Sequence, residues 1–144
     1  MSRIEEALSS FKENFSCAQS IFSTYAPHYG LDRDKALKIS TGFGGGMARS
    51  GRTCGAVTGA YMVIGLKNGM GVSKDMEAKE KTYQLISEFS TQFQENNGSL
   101  ICKELLGCDI NTPEGRDYFN QNELLEKKCI QCVKNAAEIL EEML

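Results

Sequence analysis

The chain has no tryptophan, two prolines and one histidine among its 144 residues. It has no strand-period alternation of useful length either, and no turn dipeptides between β-branched runs, which argues against a sheet. With a single histidine, His28, a cysteine–histidine hydrolase or a histidine-ligated metal has no residue to spare; its place after Pro27 at a helix end reads as a solvated cap. An excess of basic charge is missing too: 16 lysines and arginines face 19 acidic residues for a net charge of −3. The two signs are interspersed, so nothing attracts a phosphate backbone and no nucleic-acid partner is expected. The longest apolar stretch, GAVTGAYMVIGL, falls well short of the ~20 residues of a spanning helix, and Glu5 and Glu6 stand where a signal peptide needs an apolar run. The expectation is a cytoplasmic protein that does not enter a membrane.

What the chain does have is six cysteines and 14 glycines. Apolar residues make up 41% of the chain, enough for one core, and the length suits one domain over 1–144. A reducing compartment discourages structural disulfides, so Cys17, Cys54, Cys102, Cys108, Cys129 and Cys132 point to redox chemistry or soft-metal ligation rather than to a disulfide scaffold.

Helical periodicity dominates. Ile4, Leu8, Phe11, Phe15, Ala18, Phe22 and Tyr25 recur every three or four residues after a Ser2–Glu5 capping box, predicting one amphipathic helix to about Pro27. Asp32 caps a short second helix through Ala36, Leu37 and Ile39. The stretch from Gly55 to Asn68 is apolar or small all round and predicts a buried helix. A Ser73 cap opens a helix striped by Met76, Tyr83, Ile86, Phe89 and Phe93. A short helix over Ser99 to Leu106, another from a Thr112–Pro113 start and a last one burying Cys129, Val133, Ala136, Leu140 and Met143 complete an all-α bundle. About five to seven helices are expected around a central apolar helix that follows a glycine-rich loop.

That loop, GFGGGMARSGRTCG, invites a phosphate reading in which Gly44, Gly45 and Gly46 would bind a cofactor. The Gly46–Thr53 spacing copies a phosphate-binding loop with Arg52 in place of lysine, but no strand feeds it and Met47 stands where a dinucleotide fingerprint needs glycine. A thiol reading explains more. Cys54 falls where the loop meets the buried helix, and unpaired N–H groups at a helix start favour a thiolate. Arg52 adds positive charge in sequence, and the glycines leave room for an approaching sulfur.

Cys54-Gly-Ala-Val-Thr-Gly59, preceded by GFGGG, resembles a family of small redox-active proteins named for a C…CGAxxG…C…C pattern, with relatives in a domain attached to split-Soret cytochromes. Cys17 in FSCAQ resembles the first cysteine of that pattern, Cys102 in CKELLGCD the third and Cys129 before VKNAAEIL the fourth, and the likeness spans nearly the whole chain. The resemblance implies an all-helical fold and cysteine-based redox function. Together with the helix-start position of Cys54, the expectation is a thiol–disulfide redox protein with Cys54 as attacking thiolate and Cys17, Cys102 and Cys129 as resolving or relay partners. Cys108 and Cys132 look like additions to the pattern. The partner would be a redox protein or a small thiol or disulfide, with no cofactor required.

Two alternatives stand beside this reading. Cys129-x-x-Cys132 has the spacing of dithiol oxidoreductases without their βαβ context. The thiolates of Cys17, Cys54, Cys102 and Cys129, or the pairs Cys102–Cys108 and Cys129–Cys132, could hold an iron–sulfur cluster or zinc, as soft metals prefer sulfur. Three or four sulfurs converging on one point would favour metal. A third reading is an interaction domain with inert buried thiols. The carboxylates of MEAKEK and ILEEML recur with lysine at helical spacing and read as a solvated face.

Overall fold

The computed structural model describes residues 1–144 and contains eight helices and no strands. In chain order they are α1 (Arg3–Lys12), α2 (Cys17–Tyr25), α3 (Arg33–Ser40), α4 (Gly55–Asn68), α5 (Met76–Asn97), α6 (Cys102–Leu106), α7 (Pro113–Gln121) and α8 (Ile130–Met143). The all-α class matches expectation, and the count exceeds it because the first predicted helix is two. Asn14 takes a left-handed φ of 76° and ends α1. Ser16 then restarts the chain with its own capping box, its hydroxyl accepting from Gln19 N–H while the Gln19 side chain accepts from Ser16 N–H. The break re-aims α2 and makes Cys17 its first residue.

The caps at Asp32 and Thr112 form as read, each side-chain oxygen accepting a backbone N–H. For α5 the cap is Asp75, which accepts from Ala78 N–H, rather than Ser73. Its first half stands clear of the core, with Met76 and Tyr83 at least half exposed, while Phe89 and Phe93 are fully buried and stacked. Cys102 opens α6 instead of lying inside it, because Thr53 and Ile101 pair as an isolated antiparallel bridge just before.

α4 lies at the centre. Its residues from Gly55 to Ala60 are all buried, and α2, α5 and α8 pack on its sides; Leu66 and Lys67 in its last turn reach solvent. Two glycines set the closest of these contacts. A Cβ on Gly59 would stand 2.9 Å from the Ala18 carbonyl oxygen, and one on Gly55 would stand 3.0 Å from Ala18 N. Only hydrogen at both positions lets α2 and α4 lie backbone against backbone, and this crossing brings their two N-terminal ends side by side. Ile21, Ile64, Val133 and Leu140 fill the core around it, each contributing roughly 1.5–3 kcal/mol on full burial. Tyr25 donates its hydroxyl to the Ala137 carbonyl at 3.2 Å and Arg3 pairs with Glu141 at 2.7 Å, which ties the first helices to the last.

The glycine-rich loop has a conformation of its own. Gly45, Gly46, Met47, Ala48 and Arg49 all have positive φ, between 55° and 70°, so the chain makes a left-handed turn. Left-handed backbone costs about 1–2 kcal/mol per residue bearing a Cβ, so Met47, Ala48 and Arg49 together hold about 3–6 kcal/mol of strain. Hydrogen bonds brace it: Ser50 Oγ reaches the Gly46 and Met47 carbonyls, at 2.8 and 2.6 Å, and Arg52 N–H donates to Gly46 at 3.0 Å.

A thiol-lined cavity as candidate functional site

Three short main-chain hydrogen bonds assemble the site. Cys54 N–H donates to Leu100 at 2.8 Å, and Cys102 N–H donates to Arg52 at 2.6 Å. Cys54 and Cys102 are thereby clamped together at the starts of α4 and α6. Lys103 N–H adds a bond to Gly51 at 3.0 Å, and the left-handed turn closes over them, where a Cβ on Gly46 would collide with Arg52 N and with Cys102 Cβ, both at 2.7 Å. From the opposite side, a five-residue π-turn over Leu125–Cys129 runs into α8 and delivers Cys129 and Cys132 one turn apart. Wide turns of this kind are uncommon and favour functional sites.

The result is a cavity of about 550 Å³ lined by five of the six cysteines: Cys17, Cys54, Cys102, Cys129 and Cys132. Gly44, Gly45 and Gly46 also line it, Gly44 because a Cβ there would meet Ser16 Cβ at 2.9 Å. The sixth cysteine, Cys108, packs beside Cys102 and Cys129 just outside. All six are free thiols.

Within the cavity the thiols sort into two pairs. Cys132 acts on Cys54 as a thiol donor, and this contact is the main reason the Cys54 pKa is lowered below its ordinary value. Burial opposes the shift; the N–H groups of Ala56 and Val57 at the start of α4 face the sulfur and support it, without making a cap of regular geometry. The same contact, followed by burial, pushes Cys132 strongly up. Cys17 pairs with Cys129, whose thiol raises Cys17 well above an ordinary cysteine, and its sulfur also lies 4.0 Å from the Cys129 carbonyl. Cys102 is pushed up to about 12 by burial, then by its neighbours Cys54, Cys129 and Cys108. Burial followed by Asp109 raises Cys108. Cys54 is thus the cavity thiol shifted toward ionisation, and Cys17, Cys102 and Cys132 are shifted away from it.

Two expectations need correction. Arg52 is exposed and is not among the groups that act on Cys54; the charge assigned to it is supplied by a neutral thiol donor and by the helix start. Cys132, set aside as an addition to the pattern, is the direct partner of Cys54, and it is Cys132 rather than Cys129 that is fully in the core. Its signal was present in the Cys129-x-x-Cys132 spacing, but which of the two cysteines faces Cys54 is decided by how the last helix packs against α4. The four cysteines of the metal alternative all line one cavity, yet no three cysteine, histidine or carboxylate side chains are grouped to hold a metal ion.

No helix is long and apolar enough to cross a membrane. The fold and site are those of an all-helical protein with a cavity walled by five thiols, one of them with a lowered pKa. Residues 15–143 match the family model described as Putative redox-active protein (C_GCAxxG_C_C), and the chain belongs to that family. Comparison with curated proteins and with solved structures gives no match.

Proposed function

We propose that the protein is a one-domain cytoplasmic thiol–disulfide redox protein in which Cys54 attacks and Cys132 resolves. The observation that carries this reading is the pairing of Cys54 and Cys132 in one cavity at the start of α4, where their contact lowers the pKa of the first thiol and raises that of the second. The thiolate is the nucleophile in thiol–disulfide exchange, and a protonated neighbour within contact is the natural second reactant. In the first step the Cys54 thiolate attacks one sulfur of a disulfide RS–SR; that S–S bond breaks, RS⁻ leaves, and a Cys54–S–S–R mixed disulfide forms. In the second, Cys132 gives up its proton to solvent or to the departing thiolate and attacks Cys54 Sγ. The second RS⁻ leaves as the Cys54–Cys132 disulfide forms. The substrate gains two electrons, the protein loses two, and an external dithiol returns them.

Cys17 and Cys129 form the second pair, and Cys129 stands one helical turn from Cys132, so exchange from Cys132 to Cys129 relays oxidation toward Cys17. Cys102 lies against Cys54 and stays protonated.

Competitive alkylation across pH, read cysteine by cysteine on the reduced protein, tests the assignment. Cys54 is expected to react first at neutral pH, and Cys132→Ala to raise its apparent pKa by removing the donated hydrogen bond. In Cys132→Ser the mixed disulfide at Cys54 should persist. Cys54 reacting last of the six would overturn the proposal.

A further inference from the structure

Among the residues lining the thiol cavity there is no aspartate or glutamate, and Arg49 is the only basic one. Its side chain forms no ion pair, and the one acidic residue next to the Ile110 wall, Asp109, is already engaged with Lys103 at 3.9 Å. Arg49 is the last residue of the left-handed turn, and a Cβ on Gly45 would stand 3.0 Å from its Cγ and 3.1 Å from Ile110 Cδ1. The bare glycine therefore seats the arginine stem at the mouth, beside the apolar wall. Backbone strain held at such a place is commonly kept for function. Phe15, Leu105, Ile110, Phe119 and Leu125 supply that wall.

The depth of the thiols says what can reach them. Cys54, Cys132 and Cys102 are 6%, 5% and 8% exposed, at the floor of a space whose volume is that of a small-molecule site. The sulfur of a folded protein's disulfide would have to be carried in on an extended loop; a small molecule needs only to enter. We infer that the cavity takes a low-molecular-weight disulfide with an apolar or aromatic body and a carboxylate or similar anion, and that Arg49 selects for the anion. The inference rests on the thiol–disulfide reading for the reaction but not for the binding. The Cys54 thiolate itself repels an anionic substrate, and the free guanidinium at the mouth offsets that repulsion.

Two measurements test it. In Cys54→Ser, which cannot undergo the exchange, NMR titration compares 5-(methylthio)-2-nitrobenzoate with its neutral amide. The anion should bind about 10-fold more tightly, as expected for a charge-assisted contact, Arg49→Gln should remove the preference and Arg49→Lys should keep most of it. In the reduced parent protein, the rate with 5,5′-dithiobis(2-nitrobenzoate) relative to neutral 2,2′-dithiodipyridine should fall about 10-fold in Arg49→Gln. Equal binding of anion and amide, an unchanged rate ratio in Arg49→Gln, or reduction of insulin's disulfides as fast as the small ones would overturn the inference. Selective binding in a protein whose Cys54 proves unreactive would leave the cavity assignment standing and remove the redox reading instead.

Discussion

The starts of α2 and α4 lie side by side, and each carries a cysteine. Cys17 is the first residue of α2; Cys54 immediately precedes α4. Both thiols sit where a helix start offers unpaired N–H groups, yet the Cys17 pKa is raised and the Cys54 pKa lowered. The difference has two parts. In α2 the capping position belongs to Ser16, whose hydroxyl takes the Gln19 N–H, whereas in α4 the capping position is the cysteine itself, facing Ala56 and Val57 N–H. The hydrogen-bond partners also act in opposite senses: Cys132 gives its proton toward Cys54, while the Cys129 contact holds the proton on Cys17. At the start of α4 the cap position and the donating neighbour both favour the thiolate; at the start of α2 Cys17 has neither.

The largest expected effect separates the two cysteines directly. Cys54→Ser should slow reduction of a small disulfide by at least about 100-fold, since it removes the nucleophile, while Cys17→Ser slows it by under about 5-fold. Stopped-flow rates on the two variants measure this, and equal losses would erase the contrast. Next comes alkaline stability. Cys17, Cys102 and Cys132 have raised pKa values in the fold, so above the ordinary value of about 8.5 the unfolded chain releases protons that the folded one keeps. Folded-state stability must then fall as pH rises from about 8.5 toward 12, each such thiol contributing about 1.4 kcal/mol per pH unit. The lowered Cys54 acts in the opposite sense only below that window, losing its contribution as pH falls. Denaturant midpoints of the reduced protein between pH 8 and pH 10 check the sign.

Gly55→Ala would push the two helix starts apart, its Cβ meeting Ala18 N and Cys17 Cβ, at a cost of about 1–3 kcal/mol. Gly65→Ala, in the same helix with open space around it, should be neutral or stabilise by up to about 1 kcal/mol. Paired urea melts of these variants show whether the crossing depends on bare backbone. The smallest effect is Ser16→Ala, which removes the α2 cap for about 1 kcal/mol and should leave the pH profile of Cys54 alkylation in place.

Much of this was legible in the residues. The Asp32 and Thr112 caps, the apolar α4 and the absence of strand alternation all act within a few positions of chain, and local pattern reports local structure. Ser16 and Gln19 spell a second capping box as plainly as Ser2 and Glu5 do, but Phe11, Phe15, Ala18 and Phe22 keep helical spacing across the break and masked it. The left-handed turn at Met47, Ala48 and Arg49 could not be read, because its strain is offset by Ser50 and Arg52 hydrogen bonds that exist only once the loop has closed. Cys132 was visible as half of a C-x-x-C. That it faces Cys54 across 78 positions of chain is a matter of tertiary packing, which spacing does not carry.

The cavity has two kinds of wall, and they differ in what evolution can do with them. On the inner side Gly44, Gly46 and Gly55 meet Ser16, Cys102 and Ala18 so closely that not even a methyl group fits. That surface is polypeptide backbone and sulfur, and no exchange of residues can reshape it without moving helices. On the outer side Leu105, Ile110, Phe119 and Leu125 are separate apolar side chains, none fully enclosed, which can be lengthened, shortened or made polar one at a time. The chemistry is thereby cast in the invariable half of the pocket and the choice of guest in the editable half, so that a lineage could change what it admits while the thiols go on meeting it in the same place.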